Sequence, residues 1–243
     1  MGLEGLTAII TGAGSGIGKA TAAILAGAGV RVALVGRRAD RLAAVADWVA
    51  ASGGEALVEP GDVREYGDLE QIAQRVVERW GRLDILVANA AVIEQSSFSE
   101  GDPARWRQVV DTNVMGAFNS IRAALPQMLS AGRGHIVIVA SVSGRETYVG
   151  EPAYVSSKHA LVAIAECLRK EVAKTGTRVT LVEPGVVDTE FVNLDFAATG
   201  EPWGGVPSSG GGCDRHSLRA RATTRGQRQR DRGAPDWRGA LGV

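Results

Sequence analysis

A strand-like run, Leu6–Ile10, leads directly into Thr11-Gly12-Ala13-Gly14-Ser15-Gly16-Ile17-Gly18 and then into an alanine-rich helical segment. Glycines clustered between a buried strand and a helix allow a tight turn. They also let a pyrophosphate approach the helix N-terminus, where unpaired N–H groups and the helix dipole favour anions. Such a turn also serves packing alone. Its place after a leading strand points to a dinucleotide site, with Gly12, Ser15, Gly16, Ile17 and Gly18 as the expected contacts.

The same strand-then-helix rhythm continues. Arg31–Val35, Ala56–Glu59, Ile85–Ala88, His135–Ala140 and Arg178–Val182 read as further buried strands of a parallel sheet. Between them lie amphipathic stretches such as Ala39–Ala51, Leu69–Trp80, Ala104–Leu129 and Tyr154–Ala173. Alternation of this kind implies right-handed crossovers with helices on both faces: an α/β, doubly wound sheet of Rossmann type. With 243 residues, 45% hydrophobic and 22% charged, the chain has a core for one such domain and hardly the length for two. A disordered chain, a collagen-like fibre and a coiled coil are excluded. No apolar run approaches the ~20 residues of a membrane span, and the first residues lack a secretory signal pattern. Cys167 and Cys213 provide neither a disulfide framework nor metal-ligand spacing, so the expected setting is reduced and cytoplasmic.

The organisation changes near Thr199. Residues 1–198 are expected to form the dinucleotide-binding and catalytic domain, and 199–243 an irregular tail. Gly200–Gly212 is dominated by Gly, Pro and Ser, and from Cys213 onward eight arginines stand against three aspartates. The zero net charge therefore conceals a basic end on an acidic body. Nothing after Phe196 reads as a strand, so the sheet is expected to stop about one strand early.

Tyr154 and Lys158 are four residues apart on an expected helix and share one face. Taken alone, that pair is usually a solvated helix surface. Its functional reading is a tyrosine acid/base, since a phenol that titrates near ~10 needs a nearby cation to exchange protons at neutral pH. Ser141 ends the fifth strand, where such sheets gather ligand groups. Asn113 interrupts a helix within Asp111-Thr112-Asn113-Val114, and Asn89 closes the fourth strand.

In this order the turn Thr-Gly-x-x-x-Gly-x-Gly, Ala88-Asn89-Ala90-Ala91, Asn113, Ser141, Tyr154-x-x-x-Lys158 and Pro184-Gly185 resemble the short-chain dehydrogenase/reductase family, over Leu3 to Thr189. The resemblance implies that Tyr154 exchanges a proton with the substrate oxygen and that Ser141 hydrogen-bonds the same oxygen. It implies that Lys158 depresses the tyrosine pKa and holds the nicotinamide ribose, while Asn113 anchors a water linking Lys158 to solvent. Pro184, Gly185, Val187 and Thr189 would meet the nicotinamide amide, Asn89 and Ala90 would lie along the cofactor, and Asp62 and Val63 would contact the adenine. The family usually reads Asn-Asn-Ala-Gly at residues 88–91; the change to Ala-Asn-Ala-Ala removes no catalytic group. The family also implies a small-molecule alcohol or carbonyl substrate and a homodimer or homotetramer.

Coenzyme choice is read after the second strand, where an acidic residue would favour NAD. This chain has Gly36, Arg37 and Arg38. A guanidinium matches a 2′-phosphate, so NADP(H) is expected over NAD(H). The alternative is two solvated arginines at a helix start.

The arginine-rich tail admits two readings. One is a basic arm for phosphate-bearing partners. The other is a frame error. One allowed codon spelling of Gln229–Trp237, read one frame over from the end of the Arg228 codon, gives Val-Asn-Glu-Ile-Val-Val-Arg-Pro-Thr-Gly, the closing strand typical of the family. Gly211–Asp214 likewise permits Glu-Asp-Val, a common opening of the preceding helix. Three functions follow: an NADP(H)-dependent oxidoreductase, a catalytically impaired dinucleotide-binding relative, or a nucleic-acid-associated protein using the tail. A salt-sensitive complex with nucleic acid is what the third requires.

Overall fold

The computed structural model describes residues 2–185 and 221–222. Seven strands form one sheet: β1 (Thr7–Thr11), β2 (Arg31–Gly36), β3 (Ala56–Pro60), β4 (Ile85–Ala88), β5 (Gly134–Val139), β6 (Thr177–Glu183) and β7 (Arg221–Ala222), in spatial order β3-β2-β1-β4-β5-β6-β7. The first six run parallel. The order reverses between β1 and β4, the switch point where open α/β sheets bind ligands at the carboxyl ends of their strands.

The helices are α1 (Gly16–Gly27), α2 (Ala39–Ala51), α3 (Tyr66–Trp80), α4 (Pro103–Val110), α5 (Gly116–Ser130) and α6 (Pro152–Glu171). Alternation along the strands sends residues to two cores. Ile9, Leu86, Ile136, Ile138 and Leu181 pack with α3, α5 and α6. Ala8, Ile10, Val32, Leu34 and Val87 pack with α1 and α2. Both faces of the central strands are thus dry, which is why those strands read as unbroken apolar runs. The stretch Ala104–Leu129 is not one uninterrupted helix: a π-turn, Asp111–Met115, joins α4 to α5 and carries Asn113.

Among the described residues the parallel sheet ends at β6, one strand early as expected, and a short antiparallel pairing follows it. β7, two residues long, pairs antiparallel with β6 through Val182–Ala222 and Glu183–Arg221. Such a short pairing carries no apolar alternation, so no sequence pattern announces it. Val187, Thr189 and the rest of the expected tail lie outside the described residues.

Candidate active site

The glycine turn is held from below by Asn89. Its Nδ2 donates to Thr11 O (2.9 Å), its N–H donates to Thr11 Oγ1 (3.0 Å), and Ala90 N–H donates to the same hydroxyl (3.1 Å). Gly12 has φ +67°, which a side chain disfavours, and a Cβ there would meet Asn89 Nδ2 at 2.9 Å. A Cβ on Gly18 would lie 2.3 Å from Gly12 O. Glycine at both positions is what lets the turn close against α1. Ser15 caps α1 without a side-chain hydrogen bond, and the first turn carries no acid. The N–H groups of Gly16, Ile17 and Gly18 thus open a positive helix end, the chemistry that suits a pyrophosphate. Asn89 serves the turn itself, an anchoring role that its position at a strand end did not reveal.

Beyond β5, Ser141 caps a single 3-10 turn, Val142–Gly144, and its Oγ accepts from Ser143 N–H (3.2 Å). Val142 N–H donates to Pro184 O (2.9 Å), which fixes Pro184-Gly185 beside Ser141. Tyr154 and Lys158 face this turn from α6, both buried. Lys158 Nζ sits 5.4 Å from the Tyr154 ring centroid and donates to Val139 O (3.2 Å). Burial pushes the Lys158 ammonium down to about 8. The Tyr154 phenol is raised: burial is the main cause, a Ser141 hydrogen bond opposes it, and the Glu151 carboxylate adds to it. The ammonium lies over the ring and is spent on a main-chain carbonyl, while desolvation penalises phenolate.

Asn113 is buried in the π-turn. Its Oδ1 accepts from Val92 N–H (2.8 Å), and its Nδ2 donates to Val92 O (2.9 Å) and Ser157 Oγ (3.0 Å). Ser157 in turn donates to Tyr154 O (2.7 Å). The amide of Asn113 therefore joins the loop after β4 to the Tyr154 turn of α6. Ser157 and Ser143 carry no motif, and sequence reasoning missed both.

Arg37 and Arg38 lie exposed after β2, and Arg38 caps α2. Asp62 is occupied by Arg64, whose Nε donates to both carboxylate oxygens at 3.0 Å. That hydrogen bond is the main reason its carboxyl is lowered, and Arg37 contributes through space. Val63 is buried, and Asn119 Nδ2 donates to its carbonyl (3.0 Å). Among the described residues no cluster of His, Cys, Asp or Glu could hold a metal ion, and no helix is long and apolar enough to cross a membrane.

The profile of the short chain dehydrogenase family matches residues 6–199. The chain belongs to this family. An uncharacterized oxidoreductase of Staphylococcus saprophyticus is 41% identical over 189 residues, which is 77% of this chain and 80% of that protein. A metagenomic short-chain oxidoreductase solved with NADP superposes with TM-score 0.73 at 34% identity, covering 77% of this chain and 85% of the other. A short-chain dehydrogenase/reductase of Burkholderia phymatum solved with NAD gives 0.76 at 31%, covering 79% and 69%. As a short-chain dehydrogenase, the chain is a dinucleotide-dependent oxidoreductase. The glycine turn, the open end of α1 and the Ser141–Tyr154–Lys158 group all lie at the carboxyl edge of its sheet.

Proposed function

We propose that the protein is an NADP(H)-dependent oxidoreductase that moves hydride between nicotinamide and an alcohol or carbonyl carbon of a small molecule. The observation that carries this reading is the buried group in which Ser141 hydrogen-bonds Tyr154 while Lys158 lies over the tyrosine ring. The nicotinamide supplies or accepts the hydride. In the reductive direction Tyr154 donates its proton to the substrate oxygen, and the Ser141 hydroxyl stabilises the charge developing there. Lys158 steadies the tyrosine and reaches the ribose. Asn113, its side chain already engaged, offers only main-chain groups to the water expected beside Lys158.

Gly12, Ser15, Gly16, Ile17, Gly18 and the N-terminus of α1 would hold the pyrophosphate; Val63 and Asp62 would flank the adenine. Arg37 and Arg38 favour a 2′-phosphate, and pairing of Asp62 with Arg64 offsets a carboxylate that would repel it. Pro184, Gly185, Val187 and Thr189 are assigned to the nicotinamide amide. We take residues 1–198 as the catalytic domain, acting in the cytoplasm as a homodimer or homotetramer.

Tyr154→Phe removes one hydroxyl. NADPH oxidation with a panel of ketones, aldehydes and diketones should fall more than ~10²-fold while NADPH binding is kept. A variant retaining a tenth of the rate would refute the role of Tyr154. A wild-type protein that binds NADPH and reduces nothing would favour the impaired relative.

A further inference from the structure

Tyr154, Ser157, Lys158 and Leu161 are buried together along α6, at the spacing that puts side chains on one helix face. The proposed chemistry gives Ser157 no task. It is 1% exposed, in a helix interior that alanine would serve better. Its hydroxyl donates to Tyr154 O (2.7 Å), the carbonyl that also faces Lys158 N–H in the α-helical pattern. With its hydrogen spent there, the oxygen meets Asn113 Nδ2 (3.0 Å) as an acceptor. Asn113 is equally committed. Val92 N–H donates to its Oδ1 (2.8 Å), which decides the orientation of the amide, and the two Nδ2 hydrogens go to Val92 O (2.9 Å) and Ser157.

The loop after β4 also grips the chain at the start of α6. Gln95 Nε2 donates to Glu151 (3.1 Å) and Ser96 N–H to Gly150 O (2.8 Å), both before Tyr154 in the chain. Ser157 adds a hold after Tyr154, and that hold reaches the π-turn. Through one hydroxyl, the carbonyl that joins Tyr154 to Lys158 in the helix is fixed against Asn113. We propose that Ser157 is a positioning residue: it keeps the Tyr154–Lys158 turn of α6 in register with Asn113, so that the tyrosine hydroxyl meets the substrate oxygen at proton transfer. The inference rests on Tyr154 being the acid/base. A group that aligns the acid contributes to the chemical step and little to cofactor affinity, because the glycine turn and the N-terminus of α1 lie on other elements.

Ser157→Ala removes the bridge and adds no bulk. A displacement of a few tenths of an ångström at the acid should lower kcat roughly tenfold, against the ~10²-fold loss for a full ångström. The Kd of NADPH, measured by direct titration, should stay within about twofold of wild type. Ser157→Thr keeps a hydroxyl that can reach the carbonyl three residues back, and should restore most of kcat. A cycle with Asn113→Ala separates one shared link from two independent effects: the double variant should be no slower than Asn113→Ala alone. A Ser157→Ala protein that melts lower yet keeps its kcat, losses that multiply in the double variant, or a Thr variant as slow as Ala would each overturn the proposal. If Ser157→Ala fails to fold, Ser157→Cys, whose sulfur hydrogen-bonds weakly, should give an intermediate kcat, and a wild-type kcat there also counts against the proposal. Wild-type protein that reduces nothing overturns the acid/base reading and this role with it. Active wild-type protein with an indifferent Ser157→Ala overturns the role of Ser157 alone.

Discussion

Lys158 is a buried ammonium whose folded pKa, about 8, lies well below its ordinary 10.5. Between these values the unfolded chain holds more protons than the folded one, so stability rises with pH across that window. Below about 8 the whole cost is present, roughly 3 kcal/mol for a shift of this size. Lys158→Met fills similar volume and removes the charge. Val139 O then loses a donor at 3.2 Å, a loss of about 1 kcal/mol. The net expectation is a gain of about 2 kcal/mol at pH 7 without cofactor, or roughly 4 to 8 °C in melting temperature for a chain of this length. The advantage should shrink as pH climbs toward 10 and vanish where wild-type Lys158 is neutral in both states. Paired thermal melts across that range measure it, and activity should be lost in the same variant. A Met variant that melts below wild type at pH 7, or a difference that ignores pH, would refute the account of Lys158 as a destabilised group retained for chemistry.

Two further outcomes follow from the cofactor end of the site. Gly18→Ala places a Cβ 2.3 Å from Gly12 O, so the turn must shift, costing about 1–3 kcal/mol and weakening NADPH binding. Gly36→Ala, whose Cβ meets Leu42 at an ordinary 3.5 Å, should melt like wild type and is the matched control. Gly36→Asp with Arg37→Ala should move the kcat/KM preference toward NADH; an unchanged ratio would place the phosphate partner elsewhere.

What the sequence made legible follows from period and punctuation. β4 coincides with Ile85–Ala88 and α2 with Ala39–Ala51, because continuous apolar runs and 3.6-residue periodicity are local signals. The π-turn was visible only as an interruption at Asn113, since an extra residue in a helical turn has no composition of its own. Of the site, Ser141, Tyr154 and Lys158 are legible through the resemblance to the family, since their spacing alone reads equally as a solvated helix face. Their electrostatics are not, because the direction of a pKa shift depends on burial and on where Lys158 Nζ points. Glu151 carried a weak signal, an acid just before the proline that opens α6, but its partner Gln95 is 56 positions away. Asn89 is legible by position, but its anchoring of the glycine turn is not. Its partners, Thr11 at the end of β1 and Gly12 just after it, are 78 and 77 residues away, and only the sheet brings them together.

The C-terminal question turns on where the arginines stand. The family match stops at residue 199, where the composition changes to Gly, Pro and Ser. On the α1–α2 face of the sheet, Val137, Thr180 and Val182 are only half-buried, whereas Ile136, Ile138 and Leu181 on the other face are fully buried. Among the described residues the neighbour of β6 is a two-residue antiparallel strand. A basic arm appended for binding would follow the closing strand of the family and leave it intact. In the order of the sequence Gln229–Trp237 stands where the family's closing strand is expected, and one allowed codon spelling gives that strand's residues one frame over. A frame error in the coding DNA accounts for the end of the family match, the partly bare face and the arginine-rich composition together. A designed arm accounts only for the arginines.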